Sequence, residues 1–190
     1  MRILILGPQG SGKGTQAQRI AESYGIPHVA TGEILRAAVS DGSDLGRRVE
    51  PILERGDLVP DELMVDLIRE RIESEDGFIL DGFPRTLAQA EALNLMLAEI
   101  EKPLDLVLLL MVGDDVATER LLGRAAAEGR TDDAPDVIRR RLGLYHEQTE
   151  PVVERYRTEG VLVPIDGEQT VGAVAADIDD ALAQVGVRSR

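Results

Sequence analysis

The chain has 190 residues, a formal net charge of −14, 43% hydrophobic and 29% charged residues, and no cysteine. That length suits one domain with a substantial core, and the missing cysteines exclude disulfides and thiolate metal sites. The acidity argues against a nucleic-acid partner, which needs a basic face; with no apolar run near the roughly 20 residues of a membrane span and no signal-peptide pattern after Met1, a cytoplasmic protein is expected.

Apolar runs at 3–6, 28–30, 78–80, 106–111 and 161–165 predict strands. Amphipathic stretches at 12–24, 32–39, 45–55, 61–73, 87–100, 114–122, 135–157 and 171–184 predict helices between and after them. Near-continuous apolar strands alternating with helices imply a parallel sheet covered on both faces, hence a three-layer α/β fold. Ligands of such sheets gather at the carboxyl ends of the strands.

The first strand runs directly into Gly7-Pro8-Gln9-Gly10-Ser11-Gly12-Lys13-Gly14-Thr15. Strand, glycine-rich loop, lysine and helix together make a phosphate cradle, in which backbone N–H groups and the helix N-terminus face the anion and Lys13 adds a formal charge. The spacing Gly7-x4-Gly12-Lys13 fits the P-loop, except that Gly14 stands where the general pattern has Ser or Thr and Thr15 is displaced by one. The dinucleotide fingerprint is not met, because position 15 is threonine. The loop therefore reads as a mononucleotide triphosphate site.

Further along, the strand at 78–80 ends in Asp81-Gly82-Phe83-Pro84-Arg85-Thr86, with Gln89 about one turn on. In a chain with a P-loop, an aspartate at a strand end suits an acid that holds water on Mg2+, although by itself it also suits a turn or helix cap. Arg36, Arg85, Arg120, Arg124, Arg130 and Arg141 stand apart from the scattered charges, and Arg120 and Arg124 share a helix face. Arginine suits polyphosphate chemistry because its planar fork binds oxygens in pairs and keeps its charge when desolvated. His28 and His146 are too few and too far apart for a zinc cluster.

Gly10-Ser11-Gly12-Lys13-Gly14-Thr15 with Asp81-Gly82-Phe83-Pro84-Arg85 resembles the nucleoside monophosphate kinases, and the adenylate kinase family in particular. The likeness extends through Thr31-Gly32-Glu33-Ile34-Leu35-Arg36, Gly56-Asp57-Leu58-Val59-Pro60-Asp61, Glu119-Arg120-Leu121-Leu122-Gly123-Arg124, Arg130-Thr131-Asp132-Asp133, Arg139-Arg140-Arg141-Leu142 and Asp166-Gly167. The resemblance implies a P-loop NTPase-type fold on a five-stranded parallel sheet, with a core over 1–29, 60–123 and 136–190. It further implies a helical monophosphate-binding segment over 30–59 and a short lid over 124–135. Ten residues separate Arg124 from Pro135, so the inserted hairpin of long-lid relatives, with its zinc in some cases, is absent. Residues 125–129 are expected to be a mobile stretch, since nothing there can build a core.

The same resemblance distributes the roles. Gly10, Ser11, Gly12, Lys13, Gly14 and Thr15 would hold the ATP phosphates, Arg120 its base and Arg124 its phosphates, while Gln169 would offer only its backbone carbonyl. Thr31, Arg36, Asp57, Leu58, Val59, Gly82, Phe83, Pro84, Arg85 and Gln89 would hold AMP. Arg130 and Arg141 would span the transferring group, and Asp81 would hold Mg2+ through water, with no zinc site. Lys13, Arg85, Arg124, Arg130 and Arg141 form the catalytic set. Gln89 carries a donor and an acceptor on one amide, which complements the edge of adenine. The implied partners are ATP, AMP and ADP, with no nucleic acid or membrane, and a monomeric chain. A UMP/CMP-type kinase is the alternative enzyme, although Thr86 and Gln89 stand where pyrimidine kinases tend to place asparagines. A nucleotide-binding regulatory module would have no reason to keep the five cations together.

Overall fold

A computed structural model of the chain describes residues 1–128 and 133–186. Five parallel strands, β1 (Arg2–Leu6), β2 (His28–Ala30), β3 (Phe78–Asp81), β4 (Leu106–Met111) and β5 (Leu162–Asp166), lie in the order β2-β3-β1-β4-β5. Around them run α1 (Lys13–Tyr24), α2 (Thr31–Ser40), α3 (Asp44–Glu54), α4 (Asp61–Ile72), α5 (Leu87–Glu99), α6 (Asp114–Glu128), α7 (Pro135–Leu144), α8 (Glu150–Thr158) and α9 (Val171–Gln184).

Side chains alternate across a strand, and the two faces of β1 show what that does. Ile3 and Ile5 pack with Ala17 and Ile20 of α1 and with Ile178 and Leu182 of α9. Leu4 and Leu6 point the other way, into a core shared with Leu35, Ile68, Leu93 and Tyr156. All four side chains are buried, which is why the strand reads as an unbroken apolar run. Each contributes roughly 1.5–3 kcal/mol by leaving water. Pro164, which lacks a donor for the ladder, sits in β5 at the sheet edge, where a missing N–H is tolerated.

Central placement of β1 puts its carboxyl end at the topological switch point, with β3 on one side and β4 on the other. In the β1–β3 register Ile5 pairs with Asp81, so the acid ending β3 lies level with the strand just below the glycine loop.

Two predicted elements differ from what forms. Helix α6 continues past Leu122 to Glu128, so residues 125–128 are helical where a coreless connecting stretch was expected. Ala125-Ala126-Ala127 explain it, since alanine is the best intrinsic helix former and needs no core to favour that state. The single helix expected over 135–157 is interrupted by a π turn, Tyr145–Thr149, in which the N–H of Glu150 reaches the carbonyl of Tyr145. Pro151 has no N–H to give Glu147, so α-type pairing cannot pass through this point, and α8 starts afresh with proline in its first turn.

Candidate active site

The P-loop joins β1 to α1 through glycines in left-handed backbone conformations, at φ 82° for Gly10 and 92° for Gly12. A Cβ on Gly10 would lie 2.6 Å from the carbonyl oxygen of Ala117, so the loop rests directly on α6 and only glycine fits there. Gly12 caps α1 with no side-chain acceptor for the first-turn N–H groups, which leaves that end suited to an anion. Lys13 folds over the loop, its Nζ donating to the carbonyls of Gly7 at 2.8 Å and Pro8 at 2.6 Å. Desolvation in the cleft pushes the Lys13 ammonium down to about 8; Asp81 opposes the shift, whereas Arg85, Arg141 and Arg124 add to it. A polyphosphate would relieve that crowding of cations.

Asp81 sits at the mouth of β3, with His28 Nε2 at 3.6 Å from Oδ2, beyond hydrogen-bond length. Burial pushes its carboxyl up, but His28, Lys13 and Arg85 together outweigh it and hold the group below the ordinary carboxylate range. The acid is thus kept ionised beside the phosphate cradle. A Cβ on Gly14 would come 3.6 Å from its Oδ2, so the bare glycine keeps the space beside the carboxylate open. An ionised acid with such room fits an ion bound through water, the manner in which Mg2+ is held when nucleotide phosphates supply the inner ligands. Among the described residues no cluster of three or more histidine, cysteine, aspartate or glutamate side chains could hold a metal by itself.

Beyond Asp81 the chain turns at Gly82, φ 84°, where a Cβ would clash at 2.5 Å with Thr31 Oγ1. Thr31 is buried at the start of α2 and donates to the Asp81 carbonyl at 3.1 Å, tying that helix to the turn. Arg85 donates from Nε to the Gly82 carbonyl at 2.7 Å, and its own carbonyl accepts from Thr149 Oγ1 at 2.9 Å in the π turn. Burial lowers the Arg85 pKa from its ordinary range, Asp81 raising it and Arg36 lowering it further. Phe83 is fully buried in the core, and Pro84, after a cis peptide bond, walls a small cavity with Lys13 and Thr149.

Two clefts open along this surface. One, of about 1130 Å³, is bounded by Gly10, Gly12, Lys13, Gly14 and Thr15 of the loop together with Asp81, Arg120 and Arg124. Its neighbour, of about 750 Å³, is lined by Thr31, Leu35, Asp57, Leu58, Val59, Met64, Gln89 and Tyr145. Gln9, Gly32, Arg36, Gly82, Arg85 and Arg141 wall both. Ser11 is buried beneath the loop, with its Oγ 3.4 Å from Lys13 Nζ. The Asp57 carboxylate faces away to Arg55 and Arg140, each at 3.0 Å, and these bonds hold its pKa below the ordinary value, Arg55 first. Arg120 donates to the carbonyl of Gly167, 2.8 Å, in the loop after β5. Gln169 donates from Nε2 both to Asp177 Oδ2 at 2.7 Å and to the carbonyl of Asp166 at 3.3 Å, which ties its amide to α9 and to the end of β5.

No motif in the sequence gives a role to Asp133, Asp61 or Gln9. Asp133 is 1% exposed and collects two of the candidate arginines: Arg124 through Nε at 2.8 Å and Nη2 at 3.0 Å, Arg141 through Nη1 at 2.9 Å. Its place three residues after Arg130 was visible, but an acid in a run of charges carries no signal of which cations it gathers. Arg130 itself lies outside the described residues.

A glycine loop under a half-buried lysine, an ionised acid at the adjoining strand end and two clefts with a shared arginine wall define a P-loop phosphotransferase. A family model described as adenylate kinase matches residues 5–161. The chain is 48% identical over 187 residues to an adenylate kinase of Cyanothece sp., covering 97% of this chain and 96% of that protein. It is 46% identical over 185 residues to an adenylate kinase of Xanthomonas campestris pv. campestris, covering 96% and 99%, and 48% identical over 183 residues to one of Synechococcus sp., covering 96% and 98%. The chain belongs to the adenylate kinase family. No comparison favours the pyrimidine kinase or the regulatory module, and no helix among the described residues is long and apolar enough to cross a membrane.

Proposed function

We propose that the chain transfers the terminal phosphoryl group of ATP to AMP, reversibly, giving two ADP, and so balances the adenine nucleotides. The observation that carries this reading is the shared wall: Arg36, Arg85 and Arg141 border both clefts, so a group passing from one to the other moves among three cations. The larger cleft, with the P-loop, takes ATP; the smaller, between α2 and the turn after β3, takes AMP.

A phosphate oxygen of AMP forms the new bond to the γ-phosphorus as the bond from that phosphorus to the β-phosphate oxygen breaks. Atoms balance with no covalent enzyme intermediate and no outside co-reactant. The protein's share is position and charge. Loop N–H groups and Lys13 hold the β- and γ-phosphates, and Arg36 and Arg85 hold the acceptor phosphate. Arg124 and Arg141, with Arg130, neutralise the group in transit. Asp81 would hold Mg2+ through water, the ion supplying charge neutralisation and orientation of the triphosphate. The expected working unit is a cytoplasmic monomer.

The direct test is ADP formation from ATP with AMP, UMP and CMP as acceptors. AMP should be preferred, and a chain that uses UMP or CMP better would overturn the assignment. Replacing Gln89 with alanine should lower kcat/KM for AMP about 10- to 100-fold, the scale of a bidentate base contact, while the KM for ATP stays within about twofold. Equal effects on both nucleotides would remove Gln89 from the base site.

Closure of the 30–59 and 124–135 segments over both ligands would exclude the water that otherwise hydrolyses ATP. A dinucleotide with five linking phosphates should therefore slow amide hydrogen exchange in both segments, and adenosine should not. Arg141→Ala should weaken that protection more in 124–135 than in 30–59. No slowing in 124–135 with the bisubstrate compound would make that segment a passive connection.

A further inference from the structure

We propose, on the reading that the smaller cleft holds AMP, that Asp61 sets the choice between adenine and a 6-oxopurine by locking the orientation of the Gln89 amide. Gln89 is 2% exposed and lines the cleft. Its Nε2 donates to Asp61 Oδ1 at 2.8 Å, and its Oε1 accepts from the backbone N–H of Arg85 at 2.8 Å. The second Asp61 oxygen accepts from Thr86 Oγ1 at 3.1 Å, and that hydroxyl in turn accepts from the backbone N–H of Gln89 at 3.2 Å, capping α5. Asp61, the first residue of α4, does not line the cleft, so it is a positioning residue.

A primary amide has two hydrogens and two lone pairs. One of each is committed to Asp61 and Arg85, and one of each remains to read a base. Adenine presents an N6 hydrogen to donate and an N1 lone pair to accept with; hypoxanthine presents the inverse, an O6 acceptor beside an N1–H donor. A glutamine free to turn about its last bond serves either. Here the turned amide would set Oε1 against the Asp61 carboxylate and Nε2 against the Arg85 N–H, two mismatched contacts in a place with little water to screen them. With the base seated so that N6 meets Oε1 and N1 meets Nε2, the locked orientation suits adenine and refuses hypoxanthine in that same pose. Nothing in the motifs marks Asp61 for this, because an acid at a helix start reads as a partner of the helix dipole.

The test is Asp61→Asn in the full chain, measured as kcat/KM for AMP and for IMP at saturating ATP. Asparagine keeps the shape but can present either its oxygen or its nitrogen to Gln89, so the carboxylate half of the lock is lost. The AMP-to-IMP ratio should fall about tenfold, the scale of one hydrogen-bond preference, with the KM for ATP unchanged. Asp61→Ser, whose hydroxyl also donates or accepts, should lower the ratio in the same direction. A ratio unchanged in folded variants, with AMP still the wild-type acceptor, overturns the lock alone. A wild-type chain without AMP activity overturns the reading beneath it. In the unaltered protein the side-chain NH₂ of Gln89 should exchange its hydrogens more slowly than those of the exposed glutamines, and exchange at the exposed rate overturns the lock without any variant.

Discussion

Lys13→Met is expected to lower turnover at least about 10²-fold, the loss that follows removal of one preorganised electrostatic donor. The purified variant should nevertheless melt no lower than the wild type at pH 7 without nucleotide. Lys13 is pushed down to about 8 by desolvation and by neighbouring arginines, so its charge is resisted in the folded protein and welcomed in the unfolded chain. Between about pH 8 and the ordinary value of 10.5 the unfolded chain binds more protons, and stability from this group rises with pH across that window. The methionine variant should lack that rise. Thermal melts at pH 7 and pH 9.5, set beside a coupled ADP assay, check both statements; near-normal turnover would end the P-loop assignment.

Asp133→Ala should be the more damaging change for the protein as a whole. The buried carboxylate holds Arg124 and Arg141 by charge-assisted bonds of 2.8–3.0 Å, and removing it leaves two guanidinium groups mutually repelled. Breaking a buried pair by deleting one partner costs about 3–5 kcal/mol. Part of that is recovered here by the partial exposure of Arg124, 30%, so a loss of about 2–3 kcal/mol is expected by that scale. Turnover should drop more than tenfold because both arginines lose their aim. Urea unfolding and steady-state kinetics on one preparation would measure the two effects. Unaltered kcat in a folded Asp133→Ala protein would show that the arginines find their places without it.

Much of this architecture was legible because each piece has a local cause. The five strands are apolar runs bounded by glycine, proline or charge, and the loop after β1 announces itself by glycines spaced as its backbone requires. Misreadings occurred where two local rules compete. For residues 125–128 the lack of apolar side chains suggested a connection, but alanine's backbone preference acted without a core. At 145–149 a helical period runs through, and only the missing N–H of Pro151 breaks the pairing. In the site, the residues that line the P-loop cleft carry motif-level signals, whereas Asp61 and Asp133, which face other side chains, do not. Their work depends on chain separations of 28 and 8 residues being closed in space, which no local pattern encodes.

The π turn limits how chain length can vary between α7 and α8. A helix advances about 100° per residue, so one extra residue in a turn shifts the phase of everything after it by that angle. Before the turn, α7 aims Arg141 at the clefts; after it, α8 sends Val152, Val153 and Tyr156 into the core. Tyr145–Thr149 is thus the place where one helical run changes duty from cleft to core, and it behaves as an inserted letter that resets the reading frame of the surface. Deleting a residue such as His146 would restore an ordinary helical phase at the expense of one duty or the other, turning either the arginine from the clefts or the tyrosine from the core.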